Sequence, residues 1–200
     1  MKIRFLFYKA QQDGKWLDNA ISSWTWLLAL ARCDFKSLKY DFSHAEVWFG
    51  DEDYGFYTHL TVAKQTAYPY ADAIRQTGIA GQCFSATTRG ENKGVRFAPA
   101  NEVLKHPERW DYIEFEVKDG IIENYMPVFQ EKVGLAYDFA GIAGFALPFN
   151  PQDKNKWFCS ELCAWVAFLF FILHDQHKRI SPRRLAKLLV KAGGELKSLT

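Results

Sequence analysis

A cysteine at the start of an apolar helical run is the residue of this sequence best placed to do chemistry. Cys159 is followed by Ser160 and Glu161, which favour the first turn of a helix, and then by unbroken apolar residues to position 173. A helix this apolar is predicted to be the buried central helix of its domain. A thiol at a helix N-terminus forms a thiolate readily, and the backbone N–H groups there can bind an oxyanion. The pattern therefore indicates Cys159 as a nucleophile.

The alternative interpretation of Cys159 is a small buried hydrophobe, because free cysteine is among the most buried residue types. Cys163 lies one turn further along the same face, inside the apolar run, and is predicted to belong to the core. The CxxxC spacing of the pair differs from the CxxC of redox and zinc sites, and the sequence holds no second such pair. We therefore expect neither a metal ion nor a cofactor.

A candidate base for the thiol lies in residues 41–50, which alternate polar and apolar side chains like a strand. His44, Glu46 and Trp48 face one way, and the apolar positions between them are predicted to enter the core. Most lone histidines are structural, but one that leads a strand in a chain with a candidate cysteine nucleophile favours a Cys–His pair. Glu46 is expected roughly 6–7 Å along the strand from His44, so direct contact requires the two side chains to lean together.

Composition limits what kind of protein this chain is. Its 200 residues, 48% of them hydrophobic, suit one domain over 1–200, with residues 51–81 as an excursion between strands. A net charge of +2 gives no general argument for nucleic-acid binding, and the basic residues near the C-terminus fit a solvated helix face. Four cysteines without paired spacing fit a reducing compartment. The first residues alternate like a strand without an apolar signal core, and the longest apolar run is too short to span a bilayer. We expect a cytoplasmic chain without a transmembrane segment.

Periodicity along the chain predicts the elements that position these groups. Strands are expected over 2–8, 41–50, 82–87, 95–97 and 110–117, with 82–87 beside the strand that carries His44. Helices are expected over 18–31, over 121–133 despite Pro127, from 159 to 173, and over 182–191 with Ser181 as the N-cap. The predicted fold class is α+β.

Three motifs, in their order along the chain, resemble a known family. They are Ser43-His44-x-Glu46, Gly134-x-x-Tyr137-Asp138-Phe139-x-Gly141 and Phe158-Cys159-Ser160-Glu161-Leu162. Together they resemble the circularly permuted papain-like proteins related to NlpC-type cell-wall peptidases and to lecithin:retinol acyltransferase, in which the histidine strand precedes the cysteine helix. Residues 83–111 resemble a bacterial and phage subset of that family without assigned function. The resemblance covers 43–164 and implies a permuted papain-like (NlpC-like) fold, an antiparallel sheet packed against a central helix with the nucleophilic cysteine at its N-terminus.

The resemblance also implies roles for individual residues. His44 would deprotonate Cys159 and then protonate the leaving group. Tyr137 would line the site and donate to the oxyanion, beside the amide of Cys159 and with Ser160 next to it.

The third member of the site, which orients the imidazole, stays open. In the family this residue usually lies on the strand after the histidine strand, where this chain offers the hydroxyls of Ser85 or Thr87. Glu46 and His59 are the other candidates.

The implied function is a cysteine hydrolase, either a peptidase or amidase or an acyltransferase, that forms an acyl-enzyme with an amide or ester. A small cell-wall peptide or an acyl lipid is the expected substrate and partner. The alternative is a catalytically weak or inactive binding protein on the same fold, for which a phage origin stays open, since a hydroxyl orients an imidazole less strongly than a carboxylate does. A nucleic-acid-associated factor ranks last, because the net charge is small.

Overall fold

The computed structural model describes residues 1–9, 23–24, 26–27, 30, 39–50, 79, 81–88, 93–138, 155–175 and 180–199. In chain order their elements are β1 (Lys2–Lys9), β2 (Phe42–Phe49), β3 (Gln82–Thr87), β4 (Gly94–Pro99), α1 (Ala100–Val103), β5 (Trp110–Glu116), α2 (Ile121–Gln130), β6 (Ala136–Tyr137), β7 (Lys156–Trp157), α3 (Cys159–Leu169), α4 (Pro182–Lys191) and β8 (Leu196–Ser198). Six of these strands pair antiparallel in the order β4-β3-β2-β1-β5-β8, and β6 pairs with β7 in parallel. The predicted α+β class is confirmed.

Strand β2 lies inside the sheet, between β1 and β3. Its alternate residues Ala45, Val47 and Phe49 are fully buried and join the larger hydrophobic cluster, as their alternation predicts. On the opposite face, Tyr8 of β1 is paired with His44, and Leu6 with Glu46 at the next position along. The register therefore places His44 and Glu46 beside β1, on the face of β2 opposite Ala45, Val47 and Phe49.

Helix α3 is the buried centre of the fold. Nine of its residues, from Cys159 to Ala167, are buried, and it packs against β2, β3 and α4. It ends at Leu169 rather than at residue 173, where the apolar run stops. Phe171 adopts a left-handed backbone conformation with φ 57°, and the amides of the next two residues both return to the carbonyl of Ala167, which closes the helix.

Helix α4 is joined to the start of β2 by an ion pair. Its bounds match the predicted 182–191, and the Ser181 hydroxyl accepts a hydrogen bond from the Arg184 amide at 3.3 Å. Arg183 is almost fully buried, and its Nη2 donates to Oδ1 of Asp41 at 3.3 Å, one residue before β2 begins. This ion pair ties α4 to the end of β2 that carries His44.

Other predicted elements differ in extent. Helix α2 contains Pro127, as expected, but ends at Gln130, three residues early. The short strands β6, β7 and β8 were not predicted. In the predicted helix 18–31, the described positions 23, 24, 26, 27 and 30 are helical, and nearly all of the predicted excursion 51–81 lies outside the described residues. Within the part of the chain that is described, no helix combines the length and apolar character needed to cross a bilayer.

Candidate active site

His44 and Glu46 are in direct contact. Nε2 of His44 lies 3.0 Å from Oε1 of Glu46, and the two residues are 5% and 2% exposed. Their Cα atoms are two strand positions apart, so both side chains lean toward each other across the pleat. Strand geometry permits a contact between His44 and Glu46 only if their side chains lean together, and this contact is present. A carboxylate only accepts hydrogen bonds, so Nε2 of His44 is the donor to an ionised Glu46.

Cys159 is the first residue of α3 and lies close enough to His44 for its charge and a side-chain hydrogen bond to raise the pKa of that imidazole. It is fully buried and belongs to the larger hydrophobic cluster together with Val47, on the other face of β2 from His44. The pairing of β2 with β3 covers only Val47–Phe49 of β2, so the two strands are no longer paired where His44 lies. Helix α3 packs against both strands. We therefore infer that the His44 imidazole approaches the N-terminus of α3 through the place where β2 and β3 are no longer paired.

The charges around His44 favour the imidazolium form. Burial alone would lower the pKa of His44, but the charge on Cys159 and its hydrogen bond outweigh that effect, with help from the hydrogen bond and charge of Glu46. Together they raise the pKa from 6.5 to about 9. The site is thus arranged to keep a protonated imidazole beside the sulfur of Cys159, with a carboxylate on its other side.

Aromatic rings wall the imidazole on the side of β1 and β5. The Trp110 ring lies edge-on to His44, with centroids 6.3 Å apart, and Tyr8 packs against Trp110 at 5.1 Å. Tyr8 and Trp110 are 4% and 3% exposed, so this side of the ring is closed to water. Because these rings exclude water and lower the local dielectric constant, they strengthen the interaction between His44 and its charged neighbours.

The candidates for the group that orients the imidazole have different surroundings. Glu46 contacts the imidazole, whereas the fully buried Oγ of Ser85 has no hydrogen-bond partner. Thr87 is buried further along β3, opposite Gly94. His59 lies outside the described residues.

Arg96 is the neighbour of the site that sequence reasoning missed. Its Nη2 lies 3.4 Å from Oε1 of Glu46, the same oxygen that contacts His44. In the sequence, Arg96 stood only as a strand residue between two apolar ones. A charged residue between apolar neighbours in a predicted strand was the available signal, but the partner depends on the register of three strands.

Tyr137 and Ser160 both lie near the start of α3, in different surroundings. Tyr137 is 9% exposed and pairs with Trp157 in the parallel ladder, and its ring lies 5.7 Å from that of Phe158. It therefore flanks the segment that leads into Cys159. Ser160 is fully buried, and its hydroxyl donates to the carbonyl of Ile180. The Ser160 side chain thus joins α3 to the chain before α4, and only its backbone faces the helix N-terminus.

The first turn of α3 lacks a side-chain cap. The N-cap residue, Phe158, has no side-chain oxygen, and no side-chain hydrogen bond caps the helix. An α-helix leaves the amides of its first turn without intrahelical partners, and these point along the helix axis. The amide of Cys159 belongs to the same residue as the sulfur. It could therefore donate a hydrogen bond to the oxyanion of an adduct on that sulfur.

The two other described thiols differ from Cys159 in their surroundings. Cys163 is fully buried in the main cluster, which confirms its predicted place in the core. Burial, followed by the charge on Cys159, raises its pKa well above the ordinary value. Burial and the charge on Glu46 likewise raise the pKa of Cys83. Both therefore stay protonated at neutral pH, and neither has a histidine partner in this site.

Among the described residues, no group of three or more His, Cys, Asp or Glu side chains is arranged to hold a metal ion. A scan against protein-family models finds no match for this chain, and searches of curated proteins and of solved structures find none either. The resemblance to permuted papain-like proteins accordingly stays a prediction, and the functional argument depends on the geometry of the site.

Proposed function

We propose that this chain is a cysteine hydrolase or acyltransferase on a permuted papain-like fold, with Cys159 as nucleophile, His44 as acid and base, and Glu46 as the group that orients the imidazole. The observation that carries the proposal is the contact between the His44 imidazole and the buried Glu46 carboxylate, together with the influence of Cys159 on the same imidazole. A structural core cysteine needs no such partners. The order of the elements, with the histidine strand of an antiparallel sheet ahead of the cysteine helix, supports the fold assignment.

The proposed reaction begins with the thiolate of Cys159 and the imidazolium of His44. The sulfur attacks the carbonyl carbon of an amide or ester, and the resulting oxyanion accepts hydrogen bonds from the Cys159 amide and the Tyr137 hydroxyl. The C–N or C–O bond then breaks, and the leaving group takes the proton of the imidazolium. The product of this half-reaction is a thioester on Cys159.

The second half-reaction releases the acyl group. The imidazole of His44, now neutral, accepts a proton from water or from another acceptor, which attacks the thioester carbonyl. The C–S bond then breaks, the acyl product leaves, and the thiolate of Cys159 is restored beside the imidazolium. Throughout, Glu46 holds the proton on Nε2, so that the other ring nitrogen exchanges protons with the reacting atoms. A peptide or an acyl lipid fits this chemistry equally well.

A specific observation favours a second candidate function, a binding protein that has kept the fold with little turnover. Cys159 has no exposed surface, and His44 is 5% exposed. In this conformation no carbonyl carbon can reach the sulfur, so turnover requires the site to open. A chain that never opened would bind partners on its surface instead.

Acylation by p-nitrophenyl acetate and p-nitrophenyl octanoate separates the two candidates. The enzyme hypothesis predicts a burst of p-nitrophenol and a covalent acyl adduct that peptide mapping places on Cys159. The Cys159→Ser variant should lose both, and Cys163→Ser, the matched change one turn along the helix, should keep both. Absence of a burst, or an adduct that maps to another thiol, would support the binding protein.

A further inference from the structure

Three adjacent strands bring Arg96 to the polar end of the site. Arg96 is directly opposite Ser85 in the ladder of β4 and β3, and β3 is the neighbour of β2. The guanidinium therefore passes over β3 to reach Glu46 on β2, where Nη2 lies 3.4 Å from Oε1. Its side chain is 16% exposed and that of Glu46 is 3% exposed, so the pair is largely shielded from solvent.

One oxygen of Glu46 serves two partners. Oε1 lies 3.0 Å from Nε2 of His44 and 3.4 Å from Nη2 of Arg96. A carboxylate this buried is strongly disfavoured in its ionised form unless a charged partner compensates for lost hydration. Arg96 is the permanent cation at this position, since a guanidinium does not lose its proton in proteins. The charge of Glu46 in turn helps to raise the pKa values of the neighbouring thiols Cys83 and Cys163.

The guanidinium of Arg96 does not have all of its hydrogen bonds satisfied in this position. Nη1 of Arg96 is buried without a hydrogen-bond partner, and so is the hydroxyl of Ser85, which the register places beneath it. Buried polar groups in folded proteins are nearly always paired, and exceptions concentrate at functional sites.

We propose that Arg96 is a positioning residue, which keeps Glu46 ionised and directs its Oε1 at Nε2 of His44, so that the imidazolium stays beside Cys159. The inference rests on the proposed function and adds a fourth member to the site. Arg96 itself touches no reacting atom, because two side chains separate it from the sulfur.

The test measures alkylation of Cys159 by iodoacetamide between pH 5 and pH 10, with the adduct mapped by mass spectrometry. Arg96→Met should slow labelling at pH 7 by about tenfold, the effect of a change of about one pKa unit on the population of the reactive form. Arg96→Lys retains the positive charge and should restore most of the rate. Arg4→Met is the matched control, since it removes another arginine–glutamate pair of the same sheet, Arg4 Nε to Glu114 Oε2 at 2.7 Å.

The outcomes separate this inference from the function on which it rests. Slow labelling of wild-type Cys159 at pH 7 would remove the proposed function itself. Fast wild-type labelling with an unchanged rate and pH profile in Arg96→Met would overturn only the role of Arg96. A double variant with Glu46→Gln should lose no more than Glu46→Gln alone. Full additivity of the two losses would overturn the role, because the residues would then act separately. Arg96→Lys also keeps the test valid if Arg96→Met fails to fold.

Discussion

Replacing Glu46 by Gln probes the carboxylate while preserving shape. The amide can still accept a hydrogen bond from Nε2 of His44, 3.0 Å away, but it carries no charge. A hydrogen bond to a charged group contributes about 1.5–3 kcal/mol and a neutral one about 0.5–1.5 kcal/mol, so the imidazolium loses roughly 1–1.5 kcal/mol. One pKa unit corresponds to about 1.4 kcal/mol.

The expected result is a lower pKa for His44. Burial lowers this pKa, while Cys159 and Glu46 together raise it to about 9. With the charge of Glu46 gone and Cys159 unchanged, the midpoint should fall to about 8. The pH range in which His44 is an imidazolium beside the Cys159 thiolate then ends at a lower pH. The alkaline change in the labelling rate of Cys159 should accordingly occur at a lower pH than in the wild type.

Proton–nitrogen correlation NMR of the histidine rings measures this midpoint directly. The resonance of His44 is assigned from its disappearance in His44→Gln. Glu114→Gln is the matched control, because Glu114 also lies on the sheet in contact with cations, Lys2 and Arg4, and is remote from the site. An unchanged midpoint in Glu46→Gln, or an equal shift in Glu114→Gln, would refute the assignment of Glu46 as the orienting group.

Four further changes test the account. Cys159→Ser should abolish acyl transfer and leave the melting temperature nearly unchanged; a large loss of stability would favour the core-cysteine interpretation. Cys163→Ser should leave labelling of Cys159 intact and lower the free energy of unfolding by about 1–3 kcal/mol, because it places a hydroxyl in the apolar core; urea titration measures this, and a loss of labelling would contradict it. The pKa of His44 is raised from 6.5 to about 9, so its stabilisation is fully present below about pH 6.5 and is lost as pH rises through about 9. The difference in unfolding free energy between wild type and His44→Gln should therefore shrink over that range, and a constant difference would refute it. Gly94→Ala should lower stability by about 1–3 kcal/mol, since φ is 101° there and a Cβ would overlap the carbonyl oxygen of Leu135; an unchanged urea midpoint would contradict this.

The sheet was largely predictable because its strands alternate clearly and are bounded by turn residues. The strand 82–87 matches its predicted bounds, and α4 matches because Ser181 and Pro182 mark its start in the sequence. The end of α3 was not predictable in this way. The apolar run continues past Leu169 without Gly or Pro, and a left-handed Phe171 ends the helix instead. The short strand β8 depends on its pairing with β5, which no local pattern shows.

The residues of the site likewise differ in how far the sequence could predict them. His44 and Cys159 could be proposed from residue type and position at the start of a strand and of a helix. The choice of Glu46 over Ser85 could not be made, because it depends on how two side chains on one strand lean. Strand periodicity specifies the face of a residue and not its rotamer.

Two contacts of the site are long-range and carry no local signal. Arg96 reaches Glu46 only through the registers of three strands. Ser160 was predicted beside the oxyanion, but its hydroxyl bonds to the carbonyl of Ile180, twenty residues away. That partner depends on how the chain returns to α4, which the periodicity of α3 does not indicate.

The central claim is that Cys159 is a thiolate nucleophile activated by His44, and the rate of its alkylation by iodoacetamide at pH 7 tests that claim most directly. A free thiol is only a few per cent thiolate at this pH. The account predicts that wild-type Cys159 labels faster than the equally buried core thiol Cys163, and that His44→Ala slows the labelling of Cys159 by at least about tenfold. Labelling of Cys159 no faster than that of Cys163, or a rate unchanged in His44→Ala, would contradict it.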